Sequence, residues 1–257
     1  MDAYHIFEKS YQKINSAQTM EYYNISKERV NGTFFKDKSL VKVNRSPLKV
    51  YLFQKKEGGA EILYNSTVNK EKAIVNPRRF PFINLRLYPY GSTMRKNTHH
   101  TVFQADIKYT YDIVNYAIQK RLSNTLLKLI GKYKIGDKIL YKLELINKNY
   151  RKYTYTVKKG EDLVQIGEKK RVGSFKILEL NPNIPFYDKV SPGSKILIPN
   201  YYSKSITLYI DTQTFLPYMI KVYDEKGLYE SYIFENLKIN VSFSKGEFLE
   251  SCKKYGF

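Results

Sequence analysis

The sequence predicts an α+β fold, in which a long run of antiparallel strands packs on two amphipathic helices and a small βααβ module is inserted between two of the strands. Three observations predict it. Short alternating segments separated by glycine and asparagine turns follow one another, as successive hairpins do. Two other stretches repeat their apolar residues every three or four positions, which is the helical period. A mid-chain segment carries its own order of strand, helix, helix and strand, with turn residues closing it at both ends.

The first helix starts after Asp2, a suitable N-cap, and its apolar side is Ala3, Ile6, Phe7, Ser10 and Ile14. Strands are expected over 19–27, 32–35, 40–44, 49–54, 60–65 and 72–76, the fourth and fifth joined through a glycine turn at K-K-E-G-G. The stretch 76–109 is rich in proline and aromatic residues and is expected to end the first sheet run. A second helix begins near Asp106 and aligns Ile107, Tyr111, Val114, Ile118 and Leu122 on one stripe. Strands 126–135 and 138–146 turn at Gly136-Asp137, and 206–211, 218–224 and 228–237 form a closing meander. Strands 138–146 and 206–211 become neighbours once the segment between them is removed. The chain therefore divides into 1–152, the first part of a host domain; 153–202, the inserted module; and 203–257, the closing strands. A hairpin tip tolerates such an insertion because few contacts cross it.

Within the module, strand 153–158 runs into Gly160, and Asp162 with Gln165 three residues on forms a capping pair for a helix that buries Leu163 and Ile166. Ser174 is expected to cap the second helix, which must end near Asn181 because Pro182 cannot continue it. A turn at S-P-G and the alternating strand 195–198 follow. The blocks Y-T-V-K-K-G, L-x-x-I, L-x-x-L-N-P-N and S-P-G-S-K-I-L-I-P resemble a LysM domain in order and spacing. The resemblance implies a shallow groove for N-acetylglucosamine glycans, peptidoglycan or chitin. By position its two loops are Gly160, Glu161, Asp162, Leu163 and Val164, and Asn181, Pro182, Asn183 and Ile184 up to Pro185. Backbone groups and Asn183 are expected to bond N-acetyl groups, with apolar contact from Leu163 and Ile184. Two departures from the LysM pattern stand out: Gly-Glu-Asp where Gly-Asp-Thr or Gly-Asp-Ser is usual, and Gly167 where alanine is usual.

The surrounding pattern, closing on Y-I-D-T-Q-T-F-L-P-Y-M-I-K-V-Y-D-E-K-G-L-Y-E-S-Y-I-F-E-N-L-K-I-N, resembles LolA-type lipoprotein carriers. With L-Y-P-Y-G-S-T-M-R-K-N-T-H-H-T it resembles an uncharacterised bacterial envelope family of that group. The resemblance covers 1 to about 150 and 203–257. It implies a half-open antiparallel β-barrel packed on helices, with an interior able to hold a lipid or lipoprotein acyl chain, and no established activity. On alternation, the inner face would carry Val50, Leu52, Tyr64, Leu143, Leu208 and Ile220, a pattern that a filled core shares.

A formal charge of +20 favours polyanionic partners. The lysines are dispersed and form no recognition motif, so no specific nucleic-acid partner is expected. The single cysteine, Cys252, has no internal partner for a disulfide and reads as an inert thiol. No apolar run is long enough to span a membrane, and no signal peptide is visible at Met1. A wall-binding module belongs in the periplasm or cell envelope, so export by a signal peptide outside this sequence is expected.

His99 and His100 are adjacent, near Arg95, and no cysteine, histidine or carboxylate at ligand spacing accompanies them. They are expected to pack or hydrogen-bond within their loop, with no metal and no cofactor. Glu57, Glu61, Asp106, Asp137 and Glu144 show no pattern that brings two carboxylates to hydrolase separation, and Asp211 reads as a turn residue. The expectation is a non-enzymatic envelope protein held on peptidoglycan by its LysM module. The alternatives are a wall- or lipid-modifying enzyme targeted by that module, with Arg95, His99 and His100 in its site, and a scaffold whose barrel is filled.

Overall fold

The computed structural model describes residues 1–55, 59–80, 82–119 and 125–257. Glu57, Leu122 and the centre of the K-K-E-G-G turn lie outside the described residues. The element order is α1 (Ala3–Ser16), β1 (Thr19–Val30), β2 (Thr33–Asn44), β3 (Lys49–Gln54), β4 (Glu61–Asn65), β5 (Ala73–Asn76) and β6 (Leu85–Leu87). A 3-10 turn (Val102–Gln104), α2 (Lys108–Gln119), β7 (Thr125–Ile135) and β8 (Lys138–Asn147) follow. The module supplies β9 (Lys152–Thr156), α3 (Leu163–Lys170), α4 (Ser174–Leu180) and β10 (Lys195–Pro199), and the chain closes with β11 (Ser205–Asp211), β12 (Pro217–Asp224) and β13 (Gly227–Ile239).

Eleven strands form one antiparallel sheet in the order β6-β5-β4-β3-β2-β1-β13-β12-β11-β8-β7, and β9 pairs with β10 in a separate two-stranded sheet. The antiparallel sheet packed on helices is as expected from the sequence; it does not close on itself, with β6 and β7 as its edges. Two strand assignments change. The segments expected at 32–35 and 40–44 are one strand, β2, because β1 pairs with it continuously from Thr19↔Asn44 to Val30↔Thr33. The proline-rich stretch expected to end the sheet contributes β6, an edge strand of three residues, where proline nearby costs no ladder bond.

The helices form as their periodicity dictates. Asp2 accepts a hydrogen bond from the His5 amide at 2.9 Å, and Ala3, Ile6, Phe7, Ser10 and Ile14 are the buried side of α1. The α2 stripe buries Tyr111 and Val114, and Ser10 meets Tyr111 Oη at 2.9 Å where the two helices touch. Both helices pack on the sheet face that carries Tyr22, Val41, Leu143, Leu145, Leu208 and Ile220. A C-terminal segment covers the opposite face of β2–β5: Tyr255 stacks on Tyr51 at 3.7 Å, and Lys42 pairs with Glu247 at 2.5 Å.

In the module, Asp162 and Gln165 form the expected capping box, each side chain accepting from the other's backbone N–H at 2.7 and 2.9 Å. Ser174 is the first residue inside α4 and is buried, with Gly173 as the N-cap; this corrects the expected Ser174 cap. The reason is the tight α3–α4 turn. A Cβ on Gly167 would sit 2.9 Å from Val172 O and 3.1 Å from Ser174 N, so the turn closes only because position 167 has no side chain.

Candidate functional site

β8 and β11 pair directly, from Ser205↔Ile146 to Asp211↔Leu140, so the module departs from and returns to adjacent strands. It does not hang free of them. One apolar cluster contains Leu163, Ile166, Ile177, Ile196 and Ile198 of the module together with Tyr111, Leu143 and Leu208 of the host. Across the seam, Lys176 on α4 is 1% exposed and reaches Asp224 at 2.7 Å and Glu179 at 2.9 Å, while Asp224 also accepts from Arg29. Burial pulls the Lys176 pKa down, and the hydrogen bonds it donates to Asp224 and Glu179 more than restore it, leaving it raised. Asp224 mirrors this: burial pushes it up, Arg29 and Lys176 outweigh burial, and it ends lowered.

The seam is centred on His99. Its ring lies between Phe175 of α4, at 4.4 Å, and Tyr229 of β13, at 4.2 Å. Nε2 faces the Arg29 carbonyl at 2.9 Å and Nδ1 faces Glu230 Oε2 at 3.1 Å. Both partners accept, so both ring nitrogens carry protons and His99 is an imidazolium. Burial pulls its pKa down, but the Glu230 hydrogen bond and the charges of Glu28 and Glu230 outweigh this and raise it. Glu230 is pushed up by burial and drawn well below the carboxylate range by His100 and His99. Its Oε2 also accepts from His100 Nε2 at 2.9 Å and its Oε1 from Tyr202 at 2.5 Å, while Tyr232 Oη, with a single proton to share between Glu230 and Glu28, stands 2.7 Å from Oε2. Glu28 accepts from Tyr232 at 2.7 Å and from the His99 amide at 2.7 Å. Arg95 donates to the His99 carbonyl at 2.9 Å and lies over the Tyr187 ring at 4.0 Å; burial lowers its pKa.

Glu28, His100 and Glu230 each place one ligand atom within 4.8 Å of the others, a spacing that suits a cation. Here every one of those carboxylate oxygens already accepts a hydrogen bond, and the His99 imidazolium and Arg95 guanidinium match the two negative charges. The arrangement is a buried salt-and-phenol network between module and host, in which Arg95 Nε and Nη1 and Tyr229 Oη are buried without a hydrogen-bond partner among the described residues. It is also closed, with side-chain exposures of 2% for His99, 1% for Glu230 and 14% for His100. Sequence reasoning found the two histidines and Arg95 but missed both carboxylates, because Glu28 and Glu230 are far apart in the chain and meet only through the β1–β13 pairing. The available signal was an acidic residue at an inward-facing position of each strand.

Of the glycan-loop residues, Asn181, Pro182, Asn183 and Ile184 line a groove of about 650 Å³ with Thr154, Ser194, Lys195 and Leu197. Asn181 is spent on structure: Nδ2 donates to Ile177 O and Leu197 O and Oδ1 accepts from Leu197 N, bracing α4 against β10. The other loop is placed differently. Leu163 is fully buried, Asp162 is the cap, and Gly160 turns with φ 80°. Glu161 accepts from Lys169 at 2.8 Å, Tyr155 at 2.7 Å and Lys158 N at 3.1 Å, and the Lys169 bond above all draws its pKa down to about 2. The Gly-Glu-Asp departure is thus an internal tie.

The six apolar candidates divide between two clusters. Leu143, Leu208 and Ile220 belong to the main core, Val50 and Tyr64 to a smaller cluster with Val102, and Leu52 packs against both. Asp211 accepts from the amides of Gln213 and Thr214 at 3.0 and 2.8 Å, as a turn residue does. Glu61 is 1% exposed and accepts from Tyr51 at 2.8 Å and Arg78 at 2.6 Å. Cys252 is a free, half-buried thiol, and no helix among the described residues is long and apolar enough to cross a membrane.

Comparison with known proteins finds two family models. A LysM domain matches residues 155–199, and the model described as "Protein of unknown function (DUF1571)" matches residues 19–158, more than half of the chain. No curated protein matches the sequence. Among solved structures, MucB is 11% identical with a TM-score of 0.49, covering 97% of this chain and 63% of its own, so the chain spans under two thirds of that protein. Lipoprotein LppX of Mycobacterium tuberculosis is 11% identical with a TM-score of 0.44, covering 93% of this chain and 96% of its own. A LolA superfamily protein from Nitrosomonas europaea is 11% identical with a TM-score of 0.33, covering 96% of this chain and 97% of its own. The chain belongs to the DUF1571 family of proteins of unknown function and carries a LysM domain between two adjacent strands of its sheet.

Proposed function

We propose that this is a non-enzymatic cell-envelope protein that holds an N-acetylglucosamine glycan, peptidoglycan foremost, on its LysM module. The reading rests on one observation: the matched segment 155–199 presents a groove along Asn181, Pro182, Asn183 and Ile184. Asn183 is exposed there and Leu197 is 42% exposed, so a polar and an apolar contact point flank the same opening. The burial of His99 and Glu230, 2% and 1% exposed, supports a binding role over a catalytic one.

Retention on purified peptidoglycan tests this. The Asn183→Ala/Leu197→Ser protein should fall about tenfold or more in binding, the loss of one hydrogen bond and one apolar contact. Equal retention of the two proteins sinks the reading. For the host domain, an acyl chain requires α1 and α2 to part from the sheet, because Leu143, Leu208 and Ile220 pack beneath them. Native mass spectrometry after gentle purification checks this: copurified lipid supports the carrier role, and a protein of bare mass supports a filled scaffold.

A further inference from the structure

The loop between β5 and β6 is fastened at its base and bare at its tip. On one side Asn76 accepts from the Arg78 amide at 2.8 Å, and Arg78 pairs with the buried Glu61 at 2.6 Å. On the other, Asn84 and Arg86 donate to the two carboxylate oxygens of Glu250 at 3.1 and 2.9 Å. Between these ties Phe80, Phe82 and Ile83 are 84%, 75% and 56% exposed, and none of them joins an apolar cluster among the described residues. Phe80 and Phe82 are the two most exposed large apolar side chains among those residues. Phe82 also holds a left-handed backbone, φ 57°, closed into a turn by its amide on Arg79 O at 2.8 Å. That conformation costs a non-glycine residue energy, so the exposure is built into a tied loop.

The surroundings of the tip are cationic. Residues 77–90 hold three arginines and no carboxylate. Arg79 is exposed and, among the described residues, pairs with no carboxylate. Lys55 and Arg78 share the Phe53 ring at 4.8 and 5.1 Å, which sets a further cation at the base of the loop.

We infer that this loop docks the protein on an anionic phospholipid surface, with Phe80, Phe82 and Ile83 entering the interface and Arg79 meeting lipid phosphates. Three features select that occupant. The three side chains offer roughly 400 Å² of apolar surface, about half of the 800 Å² or so that each partner gives to a standard protein interface. A second copy of the chain would set arginines against arginines. A lipid interface needs no shape complementarity, takes apolar side chains a few Å deep, and supplies the phosphates that a guanidinium fork binds. The loop is separate from the LysM groove, so failure of glycan binding leaves this inference standing.

The chain has no tryptophan, so Phe82→Trp places a single reporter at the tip, and Tyr4→Trp places a control at an exposed position on α1. The full chain is mixed with vesicles of phosphatidylglycerol and phosphatidylcholine, or of phosphatidylcholine alone. On the mixed vesicles the Phe82→Trp emission should move to the blue and become shielded from an aqueous quencher, while that of Tyr4→Trp should stay as in buffer. In flotation, Phe80→Ser/Phe82→Ser should partition at least about tenfold more weakly than the parent, the loss of two apolar side chains from the interface. Arg79→Gln should partition about fivefold more weakly on the anionic vesicles. These positions are exposed, so unfolding midpoints should stay at the parent value. Equal partition of the parent and the double variant, or an equal shift of both reporters, means attraction by net charge alone and overturns the proposal. A blue shift of Phe82→Trp that grows with protein concentration in the absence of lipid means that a second copy covers the tip, and overturns it too.

Discussion

At the scale of single residues, Gly167 and His99 carry the clearest consequences. Gly167 replaces an expected alanine because the α3–α4 turn brings Val172 O within 2.9 Å of where a Cβ would stand. Gly167→Ala should therefore destabilise the protein by about 1–3 kcal/mol despite alanine's better helix propensity, as read from a denaturant midpoint. An unchanged midpoint means that the turn relaxes freely. His99 makes a prediction about pH. Its pKa is raised above the ordinary 6.5, so its contribution is complete below 6.5 and drains away as pH rises through the folded value. Glu230 lies well below the ordinary 4.5, so its contribution is complete above 4.5 and is lost as pH falls through its folded value. Stability should be greatest between about 4.5 and 6.5. Ring nitrogen chemical shifts at pH 7 should show both His99 nitrogens protonated; a neutral ring there contradicts the two-acceptor geometry.

At the scale of elements, α4 is the piece that joins module to host. Its Phe175 and Lys176 leave the module core and enter the host, the one stacking on His99 and the other pairing with Asp224. Lys176→Met removes one partner from a buried pair, and a loss of about 3–5 kcal/mol is expected from thermal or denaturant unfolding. A loss under about 1 kcal/mol, the scale of a surface ion pair, means that Arg29 alone neutralises Asp224. Most elements were legible in the sequence: the α1 face, the α2 stripe, the capping box at Asp162 and the hairpin at Gly136. Those features are set by spacings of a few residues. The single long β2 was not legible, because its outer half, Phe34 to Lys38, pairs with β1 and is exposed, which leaves no apolar alternation to read.

At the scale of the whole molecule, the insertion is more integrated than a hairpin-tip graft requires. Aromatic, ionic and apolar contacts all cross the seam, and one cluster spans both cores. Calorimetry of the full chain should show a single unfolding transition, with module and host melting together. Two resolved transitions mean that the seam opens independently. Such coupling fixes the direction in which the Asn181–Ile184 groove faces relative to the host sheet, so the proposed wall attachment would orient the sheet as well as localise it.

The sequence by itself determined the local devices: which helices form, how Asp2 and Asp162 cap them, where the LysM segment begins and ends in pattern, and that the surface is cationic. Short-range geometry dictates each of these, and twenty or fewer residues of context suffice. Only the tertiary structure decided that the sheet stays open, that Glu28 and Glu230 converge on His99, and that Glu161 is tied to Lys169. Those outcomes depend on strand order and register between segments distant in the chain. Burial decides them too, by making an imidazolium between two carboxylates more stable than a neutral ring.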